Sequence, residues 1–177
     1  LFITGPKVVK SVMFMDITAE DLGGASIHSK KSGVAQFRCI GEPDCFNKVR
    51  KLLDYIPHYY GDELVQAAKF KFDEHKKAKH IEKVLPENSR QGYDIRDIIN
   101  DVTDDDSFFE VSEEFAVNCV IGFAKIEGKS VGIIANNPKG MGGVLDCDAS
   151  DKIARHVRYC DAYNIPLVTF VDVPGFI

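Results

Sequence analysis

An α/β fold is what this chain predicts, and three observations carry it. Residues 130–136 (SVGIIAN) and 166–171 (PLVTFV) are apolar runs with little polarity, as expected of strands covered on both faces. Between them Ile153, Val157, Cys160 and Tyr163 recur three or four residues apart, the spacing of one buried helical face. Strand, helix and strand in that order make a crossover unit with a parallel pair. Ligands in such sheets sit beyond the carboxyl ends of strands, a place that falls here to Asp172, Val173, Pro174, Gly175 and Phe176.

From the start of the chain, Pro6 suits the first turn of a short helix through Val12. Thr18 with Asp21 fits a capping box on a second short helix, which Gly23 and Gly24 end. Residues 34–39 alternate loosely and predict a strand. Pro43 opens a helix with Phe46, Val49, Leu52, Leu53 and Ile56 on one face, and Pro57 ends it. Residues 61–83 are highly charged, with a basic-rich run over 69–83, and predict a solvated helical linker. Asp94 caps a helix through Asn100. The four aspartates within 101–106 lack the spacing of a calcium loop and predict a solvated turn. Residues 108–111 form a strand, and 118–126 with 130–136 flank a hairpin turn at Glu127, Gly128 and Lys129. Residues 137–143 (NPKGMGG) are a flexible loop; Asp148 or Ser150 caps the late helix and Asn164 closes it.

Composition bounds the function classes. The 177 residues allow one domain or two small ones, and 45% hydrophobic with 28% charged residues are globular values. A net charge of -5 gives no broad electrostatic case for nucleic acid or an anionic membrane. No apolar run approaches a membrane span, and no signal peptide opens the chain. Five cysteines without a CxxC pair argue against structural zinc and a disulfide framework, and favour a reducing compartment. The start at Leu1, inside an apolar run, and the stop just after a loop read as an internal fragment of a longer protein.

Two glycine-rich turns point to chemistry done by backbone amides. At Gly23–Gly24, N–H groups can approach a ligand closely and stabilise an enolate or a tetrahedral oxyanion. On the dipeptide alone the plainer reading, that the glycines end a helix, is favoured. GxSxG, HExxH and the Walker phosphate loop are all absent. His28 is a base or a packing residue, His156 is structural or on the surface, and Lys30 with Lys31 meets phosphates or water.

The stretches LFITGPKVVKSV, EDLGGASIHSKKSGVAQF, GYDIRDIINDVTDDDSFFEV and GIIANNPKGMGGVLDCDASDKIARHVRYCDAYNIPLVTFVDVPGF together resemble the carboxyltransferase (β) subunit of biotin-dependent acyl-CoA carboxylases, propionyl-CoA carboxylase type. Methylmalonyl-CoA decarboxylase and transcarboxylase subunits share these motifs. The similarity runs nearly end to end and weakens between about His58 and Lys83.

The resemblance implies a crotonase-like fold of ββα repeats in parts of two tandem domains. Residues 1–84 would be the C-terminal part of an acyl-CoA-binding N-domain with a charged linker, and 85–177 the N-terminal part of a biotin-side C-domain. It also implies that Gly23 and Gly24 match the glycine pair that stabilises the acyl-CoA enolate, with Ala25 and Ser26 beside the substrate. Val173, Gly175 and Phe176 match the loop on the biotin side, and no metal is involved. The implied reaction moves a carboxyl group from carboxybiotin to the α-carbon of propionyl-CoA, with acetyl-CoA also possible. Biotin would be carried by a partner, and a biotin carboxyl carrier and a biotin carboxylase subunit would complete an ATP-dependent holoenzyme. A homo-oligomer in the bacterial cytoplasm or mitochondrial matrix, not secreted, is expected; a membrane partner enters only for the decarboxylase alternative. A noncatalytic scaffold subunit is the alternative of another class. The chain departs from the family at Val12-Met13-Phe14-Met15, where V-T-G-E is usual, and at Gln36 and Ile177.

Overall fold

A computed structural model describes residues 1–64, 80–88 and 91–177. The charged-linker prediction lies largely outside them, over 65–79. The first half is helical. Helix α1 spans Pro6–Met13 with proline in its first turn, and α2 spans Ala19–Gly23, its first turn capped by Thr18, whose hydroxyl accepts from the Asp21 N–H at 3.1 Å. Gly24 ends α2 and also starts α3, Ala25–Lys30, a helix the sequence reading did not anticipate. Helix α4 spans Gly41–Leu53, so it starts two residues before Pro43 and stops short of Ile56.

The second half holds the sheet. Helix α5, Ile95–Val102, follows Asp94, whose carboxylate accepts from the Arg96 N–H. Strands β1 (Phe109–Val111), β2 (Cys119–Ile126) and β3 (Lys129–Asn136) form an antiparallel meander. Helix α6 (Cys147–Ala162) then crosses over to β4 (Leu167–Phe170), which pairs parallel to β3, giving the order β1-β2-β3-β4. This is the predicted strand–helix–strand unit. Alternate residues of β2 and β3 serve opposite faces. Ile121, Phe123 and Ile134 pack with Cys160, Ile153 and Val157 of α6, and Tyr55, Phe37 and Leu52 from the first half join them. Val120, Ala124, Ile133 and Ala135 pack with Ile95 and Ile99 of α5. The sheet is therefore sandwiched between two helical layers.

Four expectations are corrected. Residues 34–39 form no strand; they run irregularly, and the Ser112 N–H to Gln36 carbonyl bond of 3.1 Å ties them to the end of β1. Strand β4 is not covered on both faces: it lies at the sheet edge, with Leu167 39% exposed. Helix α6 is capped by Asp146, which accepts from the Ala149 N–H at 2.9 Å, not by Asp148 or Ser150; Asn164 does close it, in the left-handed conformation. The aspartate run is not simply solvated. Asp104 is buried and its carboxylate accepts from the N–H groups of Glu127 (3.0 Å) and Gly128 (2.8 Å), holding the two-residue β2–β3 turn. Both turn residues have positive φ, the backbone twist that suits a tight hairpin.

Candidate active site

Because β3 and β4 run parallel, their carboxyl ends open on the same edge, and loops 137–143 and 171–177 leave it together. Three buried asparagines fasten these loops. Asn136 donates from Nδ2 to the Gly143 carbonyl (3.0 Å) and accepts at Oδ1 from the Asp172 N–H (3.4 Å). Asn137 donates to the Val117 carbonyl (3.1 Å) and accepts from the Ile95 N–H (3.5 Å). Asn118 donates to the Val144 carbonyl (2.9 Å) and to the Asp146 carboxylate (3.2 Å). Each carboxamide gives a partner to buried or part-buried backbone groups.

The loop after β4 then folds beside Leu145. The Leu145 N–H donates to the Gly175 carbonyl (3.1 Å), and the Ile177 N–H donates to the Leu145 carbonyl (3.0 Å). Val173 and Gly175 are half-buried here and Phe176 is exposed. A Cβ built at Gly175 or Gly142 would meet nothing within 4 Å, so both backbones face open space. The segment before α5 closes the other side. The Tyr93 hydroxyl donates to Asp172 Oδ2 at 2.8 Å, and burial first, then Asp172, pushes the phenol up to about 12. Arg96 donates twice to Glu110, both at 2.6 Å, and once to Asp94 at 3.1 Å. Those partners hold its guanidinium firmly charged.

The Gly23–Gly24 turn sits elsewhere, with different neighbours. Both glycines are buried, and Gly24 has an extended backbone, φ -74°, so left-handed geometry is not what selects it. Close approach is the reason at Gly23, where a Cβ would overlap the Leu1 carbonyl and come within 2.9 Å of the Phe2 ring. The Gly24 N–H donates to the Glu20 carbonyl at 2.8 Å. Ala25 and Ser26 form the first turn of α3, which has no side-chain cap. Of the basic residues nearby, Lys30 pairs with Glu114 at 3.5 Å. His28 donates from Nε2 to the Leu1 carbonyl and meets the Ser32 hydroxyl through Nδ1 at 2.9 Å, so both ring nitrogens are engaged.

The buried titratable groups of the core are arranged for packing. His156 lies 3.7 Å from the Cys160 sulfur, under the sheet. Burial lowers the imidazole to about 4 and raises the thiol to about 12, so neither is charged and the pair is no nucleophile–base couple. Lys152 is buried too, with its ammonium on the carbonyls of Phe115 (2.6 Å), Ala116 (3.3 Å) and Cys119 (2.9 Å). Sequence reading missed Tyr93, Lys152 and the three asparagines. The one signal was Asn136-Asn137, two polar residues closing an apolar strand.

The carboxyl transferase domain family matches residues 1–177. The chain belongs to that family. It is 44% identical over its full length to the carboxyltransferase subunit of propionyl-CoA carboxylase from Haloferax mediterranei, covering 34% of that protein. It is 46% identical to the α subunit of methylmalonyl-CoA decarboxylase from Veillonella parvula, again over the whole chain and 35% of the relative. A transcarboxylase 12S structure, described as a hexamer with methylmalonyl-coenzyme A and methylmalonic acid bound, superposes with a TM-score of 0.92 and 40% identity, over 99% of this chain and 34% of that one. A single-chain long-chain acyl-CoA carboxylase, 22% identical with a TM-score of 0.82, shares the fold. The fold of this carboxyl transferase domain chain is therefore crotonase-like. The chain spans about a third of the length of the curated relatives it matches. Those relatives include bacterial and mitochondrial β chains of propionyl-CoA carboxylase. Among the described residues no helix is long and apolar enough to cross a membrane.

Proposed function

We propose that this chain is part of a biotin-dependent carboxyltransferase that carboxylates a short-chain acyl-CoA, propionyl-CoA to methylmalonyl-CoA in preference to acetyl-CoA. One observation carries the reading: two relatives more than 40% identical over the whole chain are named for propionyl-CoA and methylmalonyl-CoA chemistry. On this reading residues 1–84 belong to the acyl-CoA domain and 85–177 to the biotin domain.

The residues after β4 fit an uncharged ureido ring. Gly175 opens to free space, Phe176 offers an exposed apolar face, and the half-buried Val173 lies between Asp172 and Pro174. Biotin, when bound, supplies the carboxyl carrier. The chain's own part is to orient and to stabilise charge. Gly23 and Gly24 keep the turn narrow, and the uncapped first turn of α3, with Ala25 and Ser26, presents amides to the thioester oxygen as enolate charge develops. Val173, Gly175 and Phe176 position the ring, with Gly142 leaving room across the loop. Such a mechanism asks for no side-chain nucleophile, in keeping with the neutral Cys160–His156 pair. A biotin carrier, a biotin carboxylase and other copies of this subunit are the proposed partners.

The test is carbon dioxide release from methylmalonyl-CoA and malonyl-CoA by the full-length subunit, with and without free biotin. Biotin-dependent release, faster from methylmalonyl-CoA, is expected. No release from a folded, assembled subunit would overturn the catalytic reading in favour of a scaffold. A decarboxylase role is distinguished by stable association with a membrane-embedded partner.

A further inference from the structure

Asp172 is the point where three separate segments meet. Its carboxylate accepts from Tyr93, 79 residues earlier in the chain, at 2.8 Å. Its N–H donates to Asn136 at the end of β3. Its carbonyl lies 2.9 Å from where a Cβ would stand on Gly143, a residue at φ 80° that closes loop 137–143. Gly92, beside Tyr93, approaches that same loop so closely that a Cβ there would be 2.7 Å from the Pro138 carbonyl. Tyr93 is further fixed by its own neighbours, since the Asp94 carboxylate accepts from the Arg96 N–H and guanidinium and Lys139 reaches Asp94 at 3.4 Å.

We propose that Tyr93 and Asp172 are a positioning pair, whose hydrogen bond sets the direction in which residues 173–176 leave β4 and so holds that loop ready for the biotin ring. Neither side chain touches a reacting atom. The Asp172 backbone is held on two sides, by Asn136 and against Gly143, and the Tyr93 bond holds its side chain on a third. Loss of the third leaves the start of the loop tied through its backbone alone, with the Leu145 bonds to Gly175 and Ile177 holding its far end. Asp172 is exposed, so water can replace the phenol as its partner; what water cannot replace is the tie to the segment before α5. The inference rests on the reading of residues 173–176 as the biotin-side loop.

The experiment compares full-length wild type with Tyr93→Phe, Asp172→Ala, the double variant and Asp172→Asn. Biotin-dependent decarboxylation of methylmalonyl-CoA is measured along with amide hydrogen exchange of the 172–177 segment in the protein without biotin. Tyr93→Phe and Asp172→Ala are each expected to lower kcat/KM for biotin about tenfold, the worth of one hydrogen bond. The KM for acyl-CoA should stay within about twofold, as it would not if a distorted active site were the cause. Exchange at 173–177 should quicken in both. The double variant should cost no more than the worse single one, because the pair acts as a unit. Asp172→Asn keeps an acceptor oxygen and should restore most of the biotin dependence. Unchanged exchange at 173–177, additive losses, or equal effects on both substrates would each overturn the positioning role. If wild-type turnover ignores biotin, the functional reading fails instead, and the exchange comparison still decides whether Tyr93 holds the loop.

Discussion

Phe14 ends α1 at φ 56° with its ring 89% exposed, so a bulky residue occupies a left-handed position without burial to offset the strain. The resemblance to V-T-G-E would put glycine at this position, and the φ of 56° is one that glycine adopts without strain. Phe14→Gly is expected to stabilise the protein by about 1 kcal/mol, read from the urea midpoint, because the left-handed cost disappears. His156 gives a second prediction at this scale. Its native imidazole titrates at about 4, below the unfolded value of 6.5, because burial opposes the charge. The unfolded chain therefore binds a proton first as pH falls. Stability is intact above pH 6.5 and is lost between 6.5 and 4, by about 3 kcal/mol in all. A His156→Gln variant should show a flatter stability profile over that window. The sequence offered little warning of this, since a histidine beside Arg155 and Arg158 reads equally as surface; only the packing of α6 on β2 decides it.

The two-residue β2–β3 turn depends on one carboxylate that lies outside both strands. Asp104→Ala leaves the buried N–H of Gly128 and the part-buried N–H of Glu127 without their acceptor and is expected to cost about 2 kcal/mol, seen as a lower thermal midpoint. Asp146→Ala removes the α6 cap and should cost about 1 kcal/mol in the same measurement. The crossover β3–α6–β4 was legible because hydrophobic spacing survives in any context. The cap was not, since Asp146, Asp148, Ser150 and Asp151 all precede the apolar face of α6. Asp146 prevails where Asn118, 28 residues away, also donates to it. Residues 34–39 failed for a similar reason: alternation makes a strand only where a neighbour pairs with it, and here the scattered bonds from Ala35 to His28 and from Ser112 to Gln36 make no ladder.

At the scale of the molecule, large apolar side chains stand open on several faces, among them Ile3, Ile40, Val171 and Ile177. A cleft of about 440 Å³ between α6 and the 33–37 segment is lined by Phe37, Phe115, Phe123 and Tyr159. Apolar side chains this exposed drive association where they fall side by side. The 177-residue chain expressed alone is expected to self-associate, with a sedimentation coefficient that rises with concentration; a concentration-independent monomer would refute this. The two glycine loops proposed for the site were legible through local motifs. Its fastening was not, because Tyr93, Asn118, Asn136 and Asn137 act on backbone brought close only by the fold. Those three carboxamides have a consequence of their own. An amide side chain gives and takes hydrogen bonds without carrying a titrating proton. The grip of Asn136 and Asn137 on the loops at the strand ends is thus the same in acid and in alkali, so a response of those loops to pH should arise at the Tyr93–Asp172 bond.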